Sequence, residues 1–349
     1  MPLYKQRVVF ELARGLKAFL KLELGLVRGG IPADPAGGQA RKQLEQARKQ
    51  LAEKDRELAE LRSEAEVKSG GVRPENMVWI FGAGRTGSTW LRSMMSELPG
   101  HRLWEEPMIG LLFGGFYGRA QPGQLSSANF VMGEPTREGW SRSIRNFTLD
   151  AARYACPNLG EAEYLVVKEP NGSPGAPLLV EAIPESRMIF LIRDPRDVVA
   201  SVLDGAREGG WLHNRTESAG WKSRALPQRK PEVFVKQRAE AYMKQITGAK
   251  EAYEAHVGPK VLVRYEELVA DTPGTMRHIY ETLGIPVESG ELSRVVERHS
   301  WENISAEEKG EGKFYRRGTS GGWREDLTPE QVELVERVAA PVIEEFYPS

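Results

Sequence analysis

Three stretches of this chain combine arginine, glycine and hydroxyl residues at spacings that suit anion binding. The first is GAGRTGST at residues 82–89. Its glycines and its Ser88-Thr89 pair follow the phosphate-binding pattern G-x-x-x-x-G-K-[ST]. Ser88, however, stands where the lysine belongs, and the basic residue, Arg85, comes three positions early. A loop Gly82-Ala83-Gly84-Arg85-Thr86-Gly87 that runs into a helix at Ser88 turns backbone N–H groups toward a bound anion, and the helix dipole adds to them. Ser88 and Thr89 supply hydroxyl donors. The second stretch, RDPRDVVAS, leaves an apolar run at Arg193 and starts a helix at Asp194-Pro195. Two turns on, Ser201 returns to the face of the helix start, so Arg193 and Ser201 can share one phosphate. The third, FYRRGTSGGWRED, sets Arg316 and Arg317 ahead of Gly318, Gly321 and Gly322, which suits wrapping an anion.

These residues need a frame that brings them together. MVWIF (77–81), YLVVK (164–168), RMIFLI (187–192) and VLVR (261–264) read as short, fully buried strands. Helices are predicted over 88–98, 175–182, 194–204 and 265–283, and also over 137–155, 231–255 and 328–346. Alternation of continuous apolar strands with helices implies an α/β fold, a parallel sheet flanked by helices on both faces. Such sheets bind ligands at the carboxyl ends of their strands. The anion-binding stretches fall at such ends, apart from two late loops.

Before this domain the chain reads differently. Residues 1–28 form an amphipathic pattern with a wide apolar face and a basic excess. Such a helix packs on the main domain or a second copy, or rests on anionic lipid. GGIPADPAGG makes 29–38 a linker. Residues 39–68 carry a heptad with the direct repeat QARKQLE-QARKQLA, a short coiled-coil stalk suited to a homodimer or a solvated single helix. A compact domain is expected over 75–349. The net charge of -1 gives no reason to expect nucleic-acid binding, so local clusters must hold any anion. The single cysteine makes neither an intrachain disulfide nor a cysteine-based zinc site and favours a cytoplasmic location. No apolar run reaches the ~18 residues of a membrane span, and no secretory signal pattern opens the chain.

Together the motifs resemble the sulfotransferase family that uses 3'-phosphoadenosine 5'-phosphosulfate, over about residues 75–346. GRTGSTWL resembles its 5'-phosphosulfate loop, RDPRDVVAS its 3'-phosphate motif and RRGTSGGWRED its C-terminal RKGxxGxWK motif, with arginine for lysine at 317 and 324. VRYEELVADT and HSWENI resemble its adenine-side segments. The resemblance implies a P-loop-like sulfotransferase fold. It assigns the 5'-phosphosulfate to Arg85, Thr86, Gly87, Ser88 and Thr89, the 3'-phosphate to Arg193, Ser201, Arg316, Arg317 and Gly318, and the adenosine to Trp90, Tyr265 and Trp301. It also accounts for the displaced lysine. A sulfuryl donor has one bridging phosphosulfate and a separate 3'-phosphate, so no metal is expected, and Arg85 can stabilise the charge that develops as sulfate leaves.

The acceptor hydroxyl must lose a proton. None of the five histidines stands after the strand where the family's cytosolic branch places its base; VVKEP stands there. HRLWEEPMIG and VVKEP instead resemble segments of the tyrosylprotein branch, which makes Glu106 the base, with Glu105 as its neighbour in question, and Lys168 an aid to the leaving phosphate. Pro107 also suits Glu106 to the first turn of a helix. Residues 205–230 are expected to form a loop at the acceptor entrance, with Trp211 and Trp221 as stacking platforms or buried anchors. Carbohydrate or glycolipid hydroxyls lead as acceptors, then small phenols or alcohols, then peptide tyrosine. Two other readings stand beside this one: a nucleotide kinase or NTPase with a degraded phosphate loop and Asp194 as its metal-binding carboxylate, and a non-catalytic nucleotide-binding scaffold.

Overall fold

The computed structural model describes residues 71–218, 230–313 and 315–348, together with 45–46, 48–50 and 53–54. The chain divides into two units, Met1–Lys68 and Ser69–Ser349. In the first unit the described residues are helical and exposed. The amphipathic helix expected over 1–28, the linker 29–38 and most of the stalk expected over 39–68 lie outside the described residues.

The second unit is built on five parallel strands in the order β2-β3-β1-β4-β5. They are β1 (Met77–Gly82), β2 (His101–Glu105), β3 (Tyr164–Lys168), β4 (Arg187–Ile192) and β5 (Lys260–Arg264). Four of them coincide with the apolar runs. The unexpected one, β2, reads HRLWE and buries only His101 fully, because it lies at the sheet edge. The central strand β1 is buried at all six positions. Its side chains alternate between two cores. Met77, Trp79 and Phe81 join one with Met188, Phe190 and Ile192 of β4, and Val78 and Ile80 join the other with Ile189 and Leu191. Both faces are covered, so these strands show continuous apolar runs rather than alternation.

Helices α1 (Ser88–Glu97), α2 (Ile109–Tyr117), α3 (Arg137–Ala155) and α4 (Ala176–Ala182) are followed by α5 (Pro195–Gly205), α6 (Trp211–Ser218) and α7 (Pro231–Ala255). After β5 come α8 (Tyr265–Ala270), α9 (Thr272–Leu283), α10 (Ser289–Arg298) and α11 (Pro329–Phe346). Trp140 and Ile144 of α3, Leu179 of α4 and Tyr242 and Ile246 of α7 fill the first core; Leu91 and Met94 of α1, Ile279 of α9 and Val295 of α10 fill the second. The single helix expected over 265–283 is two. Asp271 leaves helical geometry at φ -142° and caps α9 by accepting from the Gly274 N–H at 2.9 Å, with Pro273 in the first turn. Because every strand runs the same way, Gly82, Glu105, Lys168, Ile192 and Arg264 end on one edge of the sheet.

Val72 is buried in the first core, ahead of residue 75. A chain beginning at residue 69 is therefore expected to unfold in one cooperative urea transition. A chain beginning at Glu75 should lose stability on the order of 1.5–3 kcal/mol, the worth of one buried valine. Equal urea midpoints for the two truncations would place the domain boundary after Val72.

Candidate active site

A cleft of about 950 Å³ opens at the carboxyl edge of the strands. The loop after β1 forms its floor. Gly87 (φ 91°) caps α1 from a left-handed conformation, and a Cβ there would lie 2.5 Å from the Tyr265 ring. Only glycine permits that approach. Arg85 is also left-handed, at φ 70°. Its Nε donates to Ser201 Oγ at 3.0 Å, and its guanidinium lies 4.8 Å from the Trp211 ring centre. Burial pushes its pKa down to about 10, and neighbouring Arg193 adds to the fall, so the group stays charged at neutral pH.

Arg193 leaves the end of β4 and lies 4.2 Å over the Tyr265 ring. It donates to the carbonyl of Arg85 at 3.2 Å, while its buried Nε has no hydrogen-bond partner among the described residues. Arg316 is likewise buried at Nε without a hydrogen bond, and burial lowers its pKa, against the pull of Asp204. Arg317 pairs with Glu325 at 2.7 Å and with Asp326 at 3.1 Å. Gly318 (φ 64°) lies against Trp301, where a Cβ would come within 2.4 Å of the indole. Trp90 meets Tyr265 edge-on at 6.5 Å and donates to the His299 carbonyl at 2.7 Å.

All the residues expected at the site line this cleft except Thr86. Thr86 is fully buried and donates to the Ala83 carbonyl at 2.7 Å, so its side chain braces the loop from beneath. Ser201 holds Arg85, and Arg193 spans the loop carbonyl and Tyr265; both Arg193 and Ser201 line the cleft. Asp194 does not line the cleft. It caps α5 and pairs with Arg196 at 2.8 Å, which removes it as a metal-binding carboxylate of an NTPase. Among the described residues no cluster of three His, Cys, Asp or Glu side chains could hold a metal.

The residues expected on the acceptor side lie on adjacent strand ends. Glu105 and Lys168 are register partners of β2 and β3. Glu106 comes next and turns left-handed at φ 47°, with its N–H on the Lys168 carbonyl at 2.8 Å. That turn breaks strand alternation, so both carboxylates reach Lys168 Nζ, Glu106 at 2.6 Å and Glu105 at 3.5 Å. Glu105 also pairs with Arg92 at 3.2 Å and is the more exposed, 44% against 26%. Glu106 is not a first-turn helix residue, since α2 starts at Ile109.

Sequence reasoning missed the side chains that hold these pieces. Gln245 of α7 accepts from the Gly84 N–H at 3.2 Å and donates to Asn171 at 3.3 Å; Asn171 donates to Glu106 at 3.0 Å. A continuous polar chain thus joins the anion loop to the carboxylate. Asp197 of α5 accepts from the N–H groups of Gly321 and Trp323 at 2.7 and 3.0 Å, and Asp204 from Gly312 at 2.9 Å, fastening the late loop over the cleft. The spacing Asp197-x6-Asp204 on one helix face was the available signal. Glu169, fully buried, accepts from the N–H groups of Met108 and Gly110 at 3.0 and 3.2 Å and pins the turn that carries Glu106. Trp211 lines the cleft; Trp221 lies outside the described residues.

This fold and site define an α/β enzyme with a phosphate-type loop and a second cationic site. The profile of the "Sulfotransferase family" matches residues 78–289, and the chain belongs to that family. It is a transferase of sulfuryl groups. No curated protein matches it by sequence. Solved structures match it at low identity. Mouse sulfotransferase SULT7A1, crystallised with PAP, is 14% identical over 80% of this chain and 88% of its own, with a TM-score of 0.50. Sulfotransferase STF9 from Mycobacterium avium is 15% identical over 83% and 81%, with a TM-score of 0.49.

Burial raises the Glu169 pKa to about 7, Glu106 pushing it the same way and the two N–H donors opposing. The folded chain therefore keeps a proton here that the unfolded chain gives up near the ordinary carboxylate value. The stability contributed by that proton is present at acid pH and is lost as pH rises through the folded pKa near 7. Glu169→Gln is expected to lose less stability than the wild type between pH 5 and pH 8, read as urea midpoints. Parallel pH profiles would remove Glu169 as the titrating group.

Proposed function

We propose that this sulfotransferase takes its sulfuryl group from 3'-phosphoadenosine 5'-phosphosulfate and delivers it in line to an acceptor hydroxyl. One observation carries the reading: four guanidiniums, those of Arg85, Arg193, Arg316 and Arg317, line the same cleft as a glycine loop at a helix N-terminus. Two of them hold buried Nε donors that no described residue accepts. A donor with a phosphosulfate and a separate 3'-phosphate fits that surplus. Trp90, Tyr265 and Trp301 supply aromatic surface for its adenosine. The PAP complex of the mouse sulfotransferase supports the same assignment.

When bound, the donor supplies the sulfuryl group and a leaving bisphosphate. The chain contributes charge and proton transfer. Arg85 and the loop N–H groups offset the negative charge that grows on the leaving phosphate. Glu106, oriented by Lys168 and Asn171, takes the proton of the attacking hydroxyl. Lys168 lies between this carboxylate and the donor loop's strand and adds positive charge to the leaving side. The acceptor is a carbohydrate, glycolipid or small-molecule hydroxyl. The reading further includes a homodimer through residues 39–68, a lipid contact through residues 1–28 and a cytoplasmic location consistent with the single cysteine. No helix of the described residues is long and apolar enough to cross a membrane.

Calorimetry is expected to show tighter binding of adenosine 3',5'-bisphosphate than of ADP or ATP, unchanged by EDTA. A charge-assisted hydrogen bond contributes about 1.5–3 kcal/mol, so Arg193→Ala should weaken that binding roughly 10- to 100-fold. Metal-dependent, tighter ATP binding would sink the assignment. Glu106→Gln should keep bisphosphate affinity but lower turnover about 10²–10⁴-fold, the usual size for general acid–base catalysis. Normal turnover by Glu106→Gln with an inactive Glu105→Gln would move the base by one residue.

A further inference from the structure

Helix α7 presents Arg238, Ala241, Tyr242 and Gln245 to the cleft, the i, i+3, i+4, i+7 spacing of one helical face. Two of these have evident work. The Tyr242 hydroxyl donates to the Arg193 carbonyl at 2.7 Å, and Gln245 joins Gly84 to Asn171. Arg238 has none. The other five arginines that line the cleft each hold an acidic or hydroxyl partner: Arg85 on Ser201, Arg92 on Glu105, Arg193 near Asp197, Arg316 on Asp204 and Asp326, Arg317 on Glu325. Arg238 makes no ion pair and no hydrogen bond among the described residues, its Nε is buried without a partner, and its one ring contact is Phe234, a turn earlier on its own helix, at 5.3 Å. Burial alone depresses its pKa; no carboxylate offsets the effect.

A half-buried guanidinium without a counter-charge is costly unless a ligand supplies one. Among the described residues no acidic side chain supplies that charge. The position points away from the reacting groups in a defined direction. Gln245 touches the shell of Glu106 through Asn171, and Arg238 lies seven residues back along the same face, roughly 10 Å of helix. We propose that Arg238 is an acceptor anchor, binding an anionic group (carboxylate, phosphate or sulfate) on the acceptor while a hydroxyl of the same molecule sits at Glu106. The enzyme then sulfates acidic molecules and discriminates against their neutral counterparts. This rests on the donor assignment above, since that assignment leaves Arg238 on the acceptor side.

The test is calorimetric titration of the full chain saturated with adenosine 3',5'-bisphosphate. The titrants are matched pairs: methyl glucuronide with methyl glucoside, 4-(hydroxymethyl)benzoate with benzyl alcohol, and methyl glucoside 6-phosphate with methyl glucoside. The anionic member of a pair is expected to bind 10- to 100-fold tighter, the worth of one charge-assisted contact. Arg238→Gln should abolish the difference and leave bisphosphate affinity unchanged, and Arg238→Lys should retain part of it. Whichever anion shows the larger preference identifies the group. Equal binding of both members by the wild type, or a preference that survives in Arg238→Gln, overturns the proposal. So does a loss of bisphosphate affinity in Arg238→Gln as large as in Arg193→Ala, which would make the residue part of the donor site. Failure of the donor assignment is visible separately, because the wild type would then not bind bisphosphate before any acceptor is added.

Discussion

Like charges held close together are the constraint on which this structure turns. Arg85 and Arg193 share the cleft end with Arg316; Arg193 and Arg316 both depress the proton affinity of Arg85, and Arg193 does the same to Arg316. Such a cluster repels itself and favours unfolding unless carboxylates answer it. Asp197 and Asp204 of α5 give that answer from beneath. Their oxygens accept backbone N–H groups of the late loop while facing Arg193 and Arg316 at 3.8 and 3.7 Å. The same two carboxylates therefore tie the loop down and offset the arginines. The compensation is incomplete: the buried Nε atoms of Arg193 and Arg316 make no hydrogen bond among the described residues, which is where the proposed donor would add its own charge.

Backbone strain lies on the same edge of the sheet. Among the described residues, Arg85, Glu106 and Met108 are the non-glycine residues with positive φ. Each such residue costs roughly 1–3 kcal/mol and persists only where its surroundings over-determine it. At Arg85 the surroundings are Ser201 and Trp211; at Glu106 and Met108 they are the Lys168 carbonyl and the buried carboxylate of Glu169. A carboxylate placed this way is positioned by main-chain geometry rather than by a flexible side chain, which suits the proposed role of taking the proton of a bound hydroxyl.

Donor and acceptor sides are also joined by hydrogen bonds. The run Gly84, Gln245, Asn171, Glu106 crosses from the loop after β1 to the end of β2 through helix α7. Two side chains thus link the loop after β1 to the carboxylate. The same helix carries Arg238 farther out, so one rigid element sets the distance between the reacting centre and the group proposed to anchor the acceptor.

Much of this was legible in the chain because it depends on local chemistry. Buried strands β1, β3, β4 and β5 announce themselves as apolar runs, since a parallel sheet covered on both faces admits nothing else. The glycine loop, Arg193 after its strand and the paired Arg316-Arg317 are short motifs whose residue types state their purpose. Edge strand β2 was not legible: with little buried surface it has no apolar run. The left-handed turn at Glu106 was not legible either, because the Lys168 carbonyl and Glu169 that impose it lie about 60 residues on. The sequence by itself determined which groups are chemically suited to bind anions and that the first two of these stretches leave the ends of parallel strands. Only the tertiary structure decided that Ser201 holds Arg85, that Thr86 faces inward, that Asp197 and Asp204 fasten the late loop, and that Arg238 makes no ion pair or hydrogen bond among the described residues. Those outcomes depend on distances between residues far apart in the chain, and no local spacing encodes them.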